Sequence, residues 1–132
     1  MKEEKMNLKT GLNATSTFKI KSTETAKFIK SGSLPVLATP VLCAYIEETC
    51  VKASENHLPK GFTTVGFHIE LDHIAPSAVN SEISVVAKLI HVDGKKLEFE
   101  AIAKEKTKTI GHAKHLRMIV NEEKFMSKLS NK

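Results

Sequence analysis

Thr39, Glu47 and His73 are the residues whose types and places could carry chemistry. Thr39 stands directly before Pro40 and an apolar-periodic run, so it is the expected N-cap of a helix, with Pro40 at the first helical position. A hydroxyl there lies beside unpaired backbone N–H groups, at the positive end of the helix dipole. It can polarise a carbonyl or hold a developing oxyanion. Glu47 and Glu48 follow on the same helix and must point differently. At ~100° per residue, Glu47 shares its side with Cys43, Ala44, Val51 and Ser54, a small and little-charged set with room for a ligand. Glu48 shares its side with Val41, Lys52 and Glu55, which face water. Glu47 is therefore the candidate base, acid or nucleophile. His73 has the strand parity of Val65, Phe67, Ile69 and Leu71 and ends that apolar row before Pro76. An imidazole there suits proton transfer near neutral pH. Each residue also has a plainer reading: a helix cap, a solvated glutamate, a core histidine bonded to a carbonyl.

Two further positions stand out. Gly66 interrupts a strand, where it marks either a bulge or the close approach of a ligand or another backbone. Arg117 is the sole arginine. It shares a strand face with His115 and Ile119 and can pair with a carboxylate or a ligand anion. The other histidines carry a weaker signal: His57 sits at a helix end, His91 before a turn, and His112 and His115 have opposite parity. No pair has metal-ligand spacing on a predicted helix, so no metal is expected. There is no GxGxxG, P-loop or GxSxG segment.

The elements that must position these residues are legible from periodicity. Thr15 to Lys21 alternates as a short strand, and Ser31 to Pro35 is a loop. A helix runs from Thr39 to about Asn56, with Leu42, Ile46, Thr49, Cys50 and Ala53 as its core stripe. Pro59 and Gly61 stop it. After Gly61 the period becomes two, and strands follow up to Pro76, over Ser81–Val92 and Leu97–Lys104, and over Thr109–Val120. Asp93-Gly94 and Lys106-Thr107-Lys108 are turns. The Ser81–Val92 strand is apolar on both faces and reads as central. Glu122 to Leu129 can form a terminal helix. One helix on one antiparallel sheet is an α+β architecture. An open sheet leaves edges, which pairing of two copies would cover.

Bulk properties narrow the function classes. The chain has 132 residues with 41% hydrophobic and 27% charged residues, the size and composition of one globular domain. Residues 1–10 read as a flexible, charged N-terminus without a signal segment. No apolar run approaches the ~20 residues of a membrane helix. Cys43 and Cys50 share one apolar segment and read as reduced core residues of a cytoplasmic protein. The net charge of +5 comes from scattered lysines, and aromatics make up only 5%, so a nucleic-acid groove is not expected. A phosphate-rich small ligand suits the charge.

Taken in order, these segments resemble a known family. Val36-Leu37-Ala38-Thr39-Pro40-Val41-Leu42 followed by Glu47-Glu48-Thr49-Cys50 is similar to the helix motif of the fluoroacetyl-CoA thioesterase-like proteins. His73-Ile74-Ala75-Pro76, Val92-Asp93-Gly94 with Leu97, and Ile110-Gly111 with His115 and Arg117 continue the likeness, roughly from residue 12 to residue 126. The resemblance implies a hot-dog fold, in which a curled sheet of about five strands wraps a central helix, and a homodimer. It implies hydrolysis of a short acyl-CoA to free acid and CoA, without a cofactor beyond the CoA of the substrate. It implies that Thr39, Glu47 and His73 are catalytic and that Gly66 and Arg117 contact substrate or CoA. A non-catalytic acyl-CoA-binding or sensing module on the same fold is the alternative. The aspartate–histidine pair of hydratase-type relatives does not occur between Leu34 and Cys50. The stretch Phe28 to Leu34, with one aromatic beside Lys30, Ser31, Gly32 and Ser33, departs from the aromatic lid of the fluoroacetate-specific member. A polar lid would not select a small fluorinated acyl group.

Overall fold

The computed structural model describes residues 8–130; part of the expected N-terminal segment, residues 1–7, lies outside them. The elements in chain order are β1 (Asn13–Lys19), α1 (Ala26–Ile29), α2 (Thr39–Ser54), β2 (Phe62–His73), β3 (Glu82–Asp93), β4 (Lys96–Glu105), β5 (Lys108–Asn121) and α3 (Glu122–Ser130). One short 3-10 turn, Ser22–Glu24, precedes α1, and another, Glu55–His57, closes α2. The five strands form one antiparallel sheet in the order β1-β3-β4-β5-β2. It curls about α2 without closing, so β1 and β2 are edges bonded on one side only.

The helix forms as its apolar stripe demands. Leu42, Ile46, Thr49, Cys50 and Ala53 are all buried, joined by Tyr45 and Ser54. They meet the inward residues of β3, β4 and β5, among them Val85, Leu89, Leu97, Phe99 and Ile110. Full burial of each large aliphatic side chain contributes about 1.5–3 kcal/mol. The polar members of the helix stripe are bonded within the helix: Thr49 Oγ1 donates to the Tyr45 carbonyl at 2.8 Å. The Tyr45 ring stacks on Phe18 at 4.1 Å, and its hydroxyl donates to Glu24 at 2.7 Å. Leu8 packs half-buried against the same core, and Gly11 N–H donates to Leu89 at 2.8 Å. The part of the expected flexible segment from residue 8 onward is thus held in place.

The start of α2 corrects one expectation. Ala38, not Thr39, is the N-cap: its backbone is extended, and its carbonyl already accepts from Leu42 N–H at 3.0 Å. Thr39 is the first helical residue and Pro40 the second. The Thr39 hydroxyl is thereby free of capping and turns to another partner.

β2 corrects a second. Its pairing with β5 shifts between Gly66 and His68, so that Gly66 faces Arg117, His68 faces Leu116, and Phe67 has no opposite number. The extra residue is a β-bulge, and it inverts the inside–outside alternation. Before it, Thr64 is buried; after it, Ile69, Leu71 and His73 turn inward and are half-buried. Phe67, expected in the core row, is 51% exposed. β3, read as central, lies second from the β1 edge, and its outer-face Val86 is 45% exposed.

Candidate active site

α2 lays Glu47 against the bulged part of β2. Gly66 makes this approach possible: a Cβ there would lie 2.8 Å from Glu47 Oε2, 2.9 Å from His115 Cε1 and 3.0 Å from Arg117 Nη1. Any other residue would have to displace the carboxylate, the ring or the guanidinium. The Glu47 side chain remains 43% exposed.

β5 brings His115 and Arg117 into the same cluster from one face. His115 is 1% exposed. Its Nδ1 lies 2.8 Å from the His68 carbonyl. A carbonyl only accepts, so Nδ1 carries the proton and Nε2 holds a lone pair. That lone pair accepts from Arg117 Nη1 at 3.0 Å. Arg117 also donates from Nε to Thr64 Oγ1 at 2.8 Å and from Nη2 to the Thr64 carbonyl at 3.0 Å. Glu47 Oε2 stands 3.5 Å from Arg117 Nη1 and 3.6 Å from His115 Nε2. Burial lowers the His115 pKa; Arg117 reinforces this, while the His68 carbonyl and Glu47 oppose it. Burial likewise lowers that of Arg117, against the pull of Glu47. Beneath them, burial pushes the Cys50 thiol up to about 12, so it is an inert core group at neutral pH.

Thr39 and His73 meet elsewhere. Thr39 Oγ1 lies 2.8 Å from His73 Nδ1. His73 Nε2 is buried and has no hydrogen-bond partner. Burial lowers the His73 pKa, with the Ala75 backbone pulling the other way. The pair lines a cleft of about 280 Å³ whose other walls are Ala26, Ser31, Val36, Leu37, Pro40, Ile74, Ala75 and Pro76. A small cleft beside a hydroxyl–imidazole pair can hold a short acyl group against a proton-transfer device.

A single protomer therefore brings the sequence candidates together in two groups, not one. Thr39 and His73 form a pair; Glu47, Gly66 and Arg117 form a cluster. The helix rises about 12 Å between Thr39 and Glu47, and the strand runs about 23 Å from Gly66 to His73. No hydrogen bond or ion pair joins Glu47 to either member of the pair among the described residues. Sequence reasoning missed two members of the cluster. Thr64 was hidden by the bulge, which reverses its parity. His115 had a signal: it shares parity with Arg117 and Ile119, a polar pair inside an apolar row.

Comparison with known proteins settles the kinship. The profile of the FlK, fluoroacetyl-CoA-specific thioesterase, family matches residues 20–123. The chain belongs to that family. The fluoroacetyl-CoA thioesterase of Streptantibioticus cattleyicolor is 30% identical over 97 residues, covering 74% of this chain and 70% of the relative. A mutant of the fluoroacetyl-CoA-specific thioesterase solved with fluoroacetate and CoA is 25% identical, with a TM-score of 0.84 over 89% of this chain and 99% of that one. A hot-dog-like protein from Thermanaerovibrio acidaminovorans has a TM-score of 0.88 at 17% identity, over 99% of this chain and 96% of that one, and shows the shared fold. Membership in the fluoroacetyl-CoA-specific thioesterase family makes the chain a thioester hydrolase by class. No helix among the described residues is long and apolar enough to cross a membrane.

Proposed function

We propose that the protein hydrolyses a short-chain acyl-CoA to the free acid and CoA, with Thr39, Glu47 and His73 as its reacting groups. The observation that carries this reading is the 2.8 Å contact between Thr39 Oγ1 and His73 Nδ1, a hydroxyl–imidazole pair lining a small cleft. A hydroxyl hydrogen-bonded to an imidazole is an arrangement that moves protons near neutral pH. At roughly 30 Å³ for each small group, the cleft of about 280 Å³ holds about nine heavy atoms. It suits a short acyl chain. The wall mixes aliphatic residues with Ser31, Thr39 and His73, and the neighbouring Phe28 and Leu34 are 60% and 64% exposed rather than packed over it. That favours a short aliphatic acyl group over a fluorinated one.

In this reading the substrate carbonyl lies near Thr39. Glu47 either attacks it or activates the attacking water. His73 delivers the proton to the departing CoA sulfur. The net change is addition of one water across the C–S bond. The chemistry uses the chain's own groups, and CoA arrives as part of the substrate. The gap between pair and cluster points to a homodimer. Two copies meeting at the free β2 edge, where Phe67 is 51% exposed, would let the pair of one protomer face Glu47 of the partner subunit. Such an interface also covers an otherwise open edge.

The test is free-thiol release from a panel of short to medium acyl-CoAs, with wild type and Glu47→Ala side by side. We expect turnover of the short members and a fall in kcat of about 10³-fold or more in the variant. CoA binding without turnover of any member would instead establish a sensor. Mass spectrometry of the quenched reaction separates nucleophile from base: an acyl mass on Glu47 indicates attack by the carboxylate.

A further inference from the structure

The placement of His115 calls for an explanation that the reaction itself does not supply. The ring is buried at 1% exposure, and the His68 carbonyl fixes its proton on Nδ1. Its bare Nε2 takes Arg117 Nη1 at 3.0 Å. The same Nη1 stands 3.5 Å from Glu47 Oε2, beyond the 2.7–2.9 Å range of a charge-assisted hydrogen bond. Thr64 holds the other two guanidinium nitrogens. The arginine is thus anchored on three sides by groups other than the carboxylate.

We propose that His115 is a positioning residue that holds Arg117 beside Glu47 while keeping it out of a direct hydrogen bond. The inference rests on the reading of Glu47 as the reacting carboxylate. A carboxylate clasped by a guanidinium loses base strength and nucleophilicity, because the hydrogen bond stabilises the lone pairs that must react. A guanidinium held at 3.5 Å still supplies positive charge. The ring can do this only as a neutral acceptor; a second proton on Nε2 would confront the arginine. The titratable groups around the ring and the guanidinium are Glu47 and Cys50 from α2, His68 from β2, and Arg117 itself.

The experiment uses the full chain and the fastest acyl-CoA of the panel above, with kcat and KM followed across pH. His115→Asn keeps a donor for the His68 carbonyl and removes the acceptor at Nε2. We expect kcat to fall about 10–100-fold with KM within about 3-fold. The acidic limb of the kcat/KM profile should move about one unit to lower pH as Arg117 closes on Glu47. His115→Gln, whose amide oxygen reaches the Nε2 position, should restore the wild-type limb and most of kcat. Equal impairment of both variants with an unmoved limb, or no impairment in either, overturns the proposal. Glu47→Gln separates the two ideas: if it keeps full turnover, the reading of Glu47 fails, whereas a dead Glu47→Gln beside an unaffected His115→Asn sinks only the positioning role. Imidazole nitrogen NMR on the wild type needs no variant to fold. A neutral ring with its proton on Nδ1 is expected at pH 8, and a ring that is charged there or carries its proton on Nε2 refutes the proposal.

Discussion

Around Glu47, three donor nitrogens of Arg117 and both ring nitrogens of His115 have partners. Around Thr39, one 2.8 Å bond joins two side chains, and the far nitrogen of His73 is left without a partner. The two regions lie on one helix and differ in how completely the protomer determines them. The Glu47 region is a finished scaffold, in which each group fixes the next. The Thr39 region is an unfinished one, set beside a cleft. Preorganised charge is worth most where it does not have to move during reaction, and a group awaiting substrate must keep a free valence. In the reading proposed above, the two regions are halves of one machine, the first to set a carboxylate and the second to receive the acyl group and move a proton.

The comparison breaks most sharply in a mixing experiment. Glu47→Ala and His73→Gln should each be inactive alone. If the halves join across a dimer, a mixed dimer has one intact and one doubly damaged site. Statistical mixing should then restore about a quarter of wild-type turnover. No recovery, with mixed dimers shown by native mass spectrometry, would place both halves in a single protomer. A smaller effect tests the finished half. Gly66→Ala puts a methyl 2.8 Å from Glu47 Oε2, so we expect about a 10–100-fold loss of kcat and about 1–3 kcal/mol of stability. Unchanged kinetics would mean that the carboxylate can sit elsewhere and still work.

The smallest effect concerns pH. Burial lowers the pKa of both His115 and His73 in the folded chain. The unfolded chain therefore binds more protons between the two values. Stability from this source is complete above the unfolded value of about 6.5 and is lost as pH falls through the folded values. Thermal melts from pH 8 down to pH 5 should show a declining Tm, with each ring contributing no more than about 1.4 kcal/mol per pH unit. His115→Gln should flatten the decline, and an equal slope in the variant would mean that His115 contributes none of it.

Much of this was legible in the sequence because it is local. The α2 stripe, the turn at Asp93-Gly94 and the inward side of Glu47 all follow from spacing within one element. The α2 cap was misplaced by one residue, since Thr39 and Ala38 differ only in which carbonyl begins the helical ladder. The bulge could not be read, because it is a property of two strands about fifty residues apart. Only Gly66 hinted at it. With the bulge hidden, Thr64 fell on the wrong face, and the cluster around His115 and Arg117 could not be assembled. The spacing of Thr39, Glu47 and His73 also said nothing about their separation in one protomer. A helix rise and a strand length had to be laid against each other first.

Phe67 has a consequence of a different kind. Along β2 the alternation of faces works like a reading frame, and Phe67 is the single extra letter that shifts it. Upstream of it the even positions, Thr64 and Gly66, look toward α2; downstream the odd ones, Ile69, Leu71 and His73, do. Removing that one side chain by substitution would leave the frame intact. Removing the residue altogether would restore a plain alternation, and everything on one side would have to trade faces. Either His73 would leave the cleft, or Gly66 would turn away from Glu47 and a bulkier neighbour would take its place. The strand should tolerate many residues at position 67, but never one residue fewer.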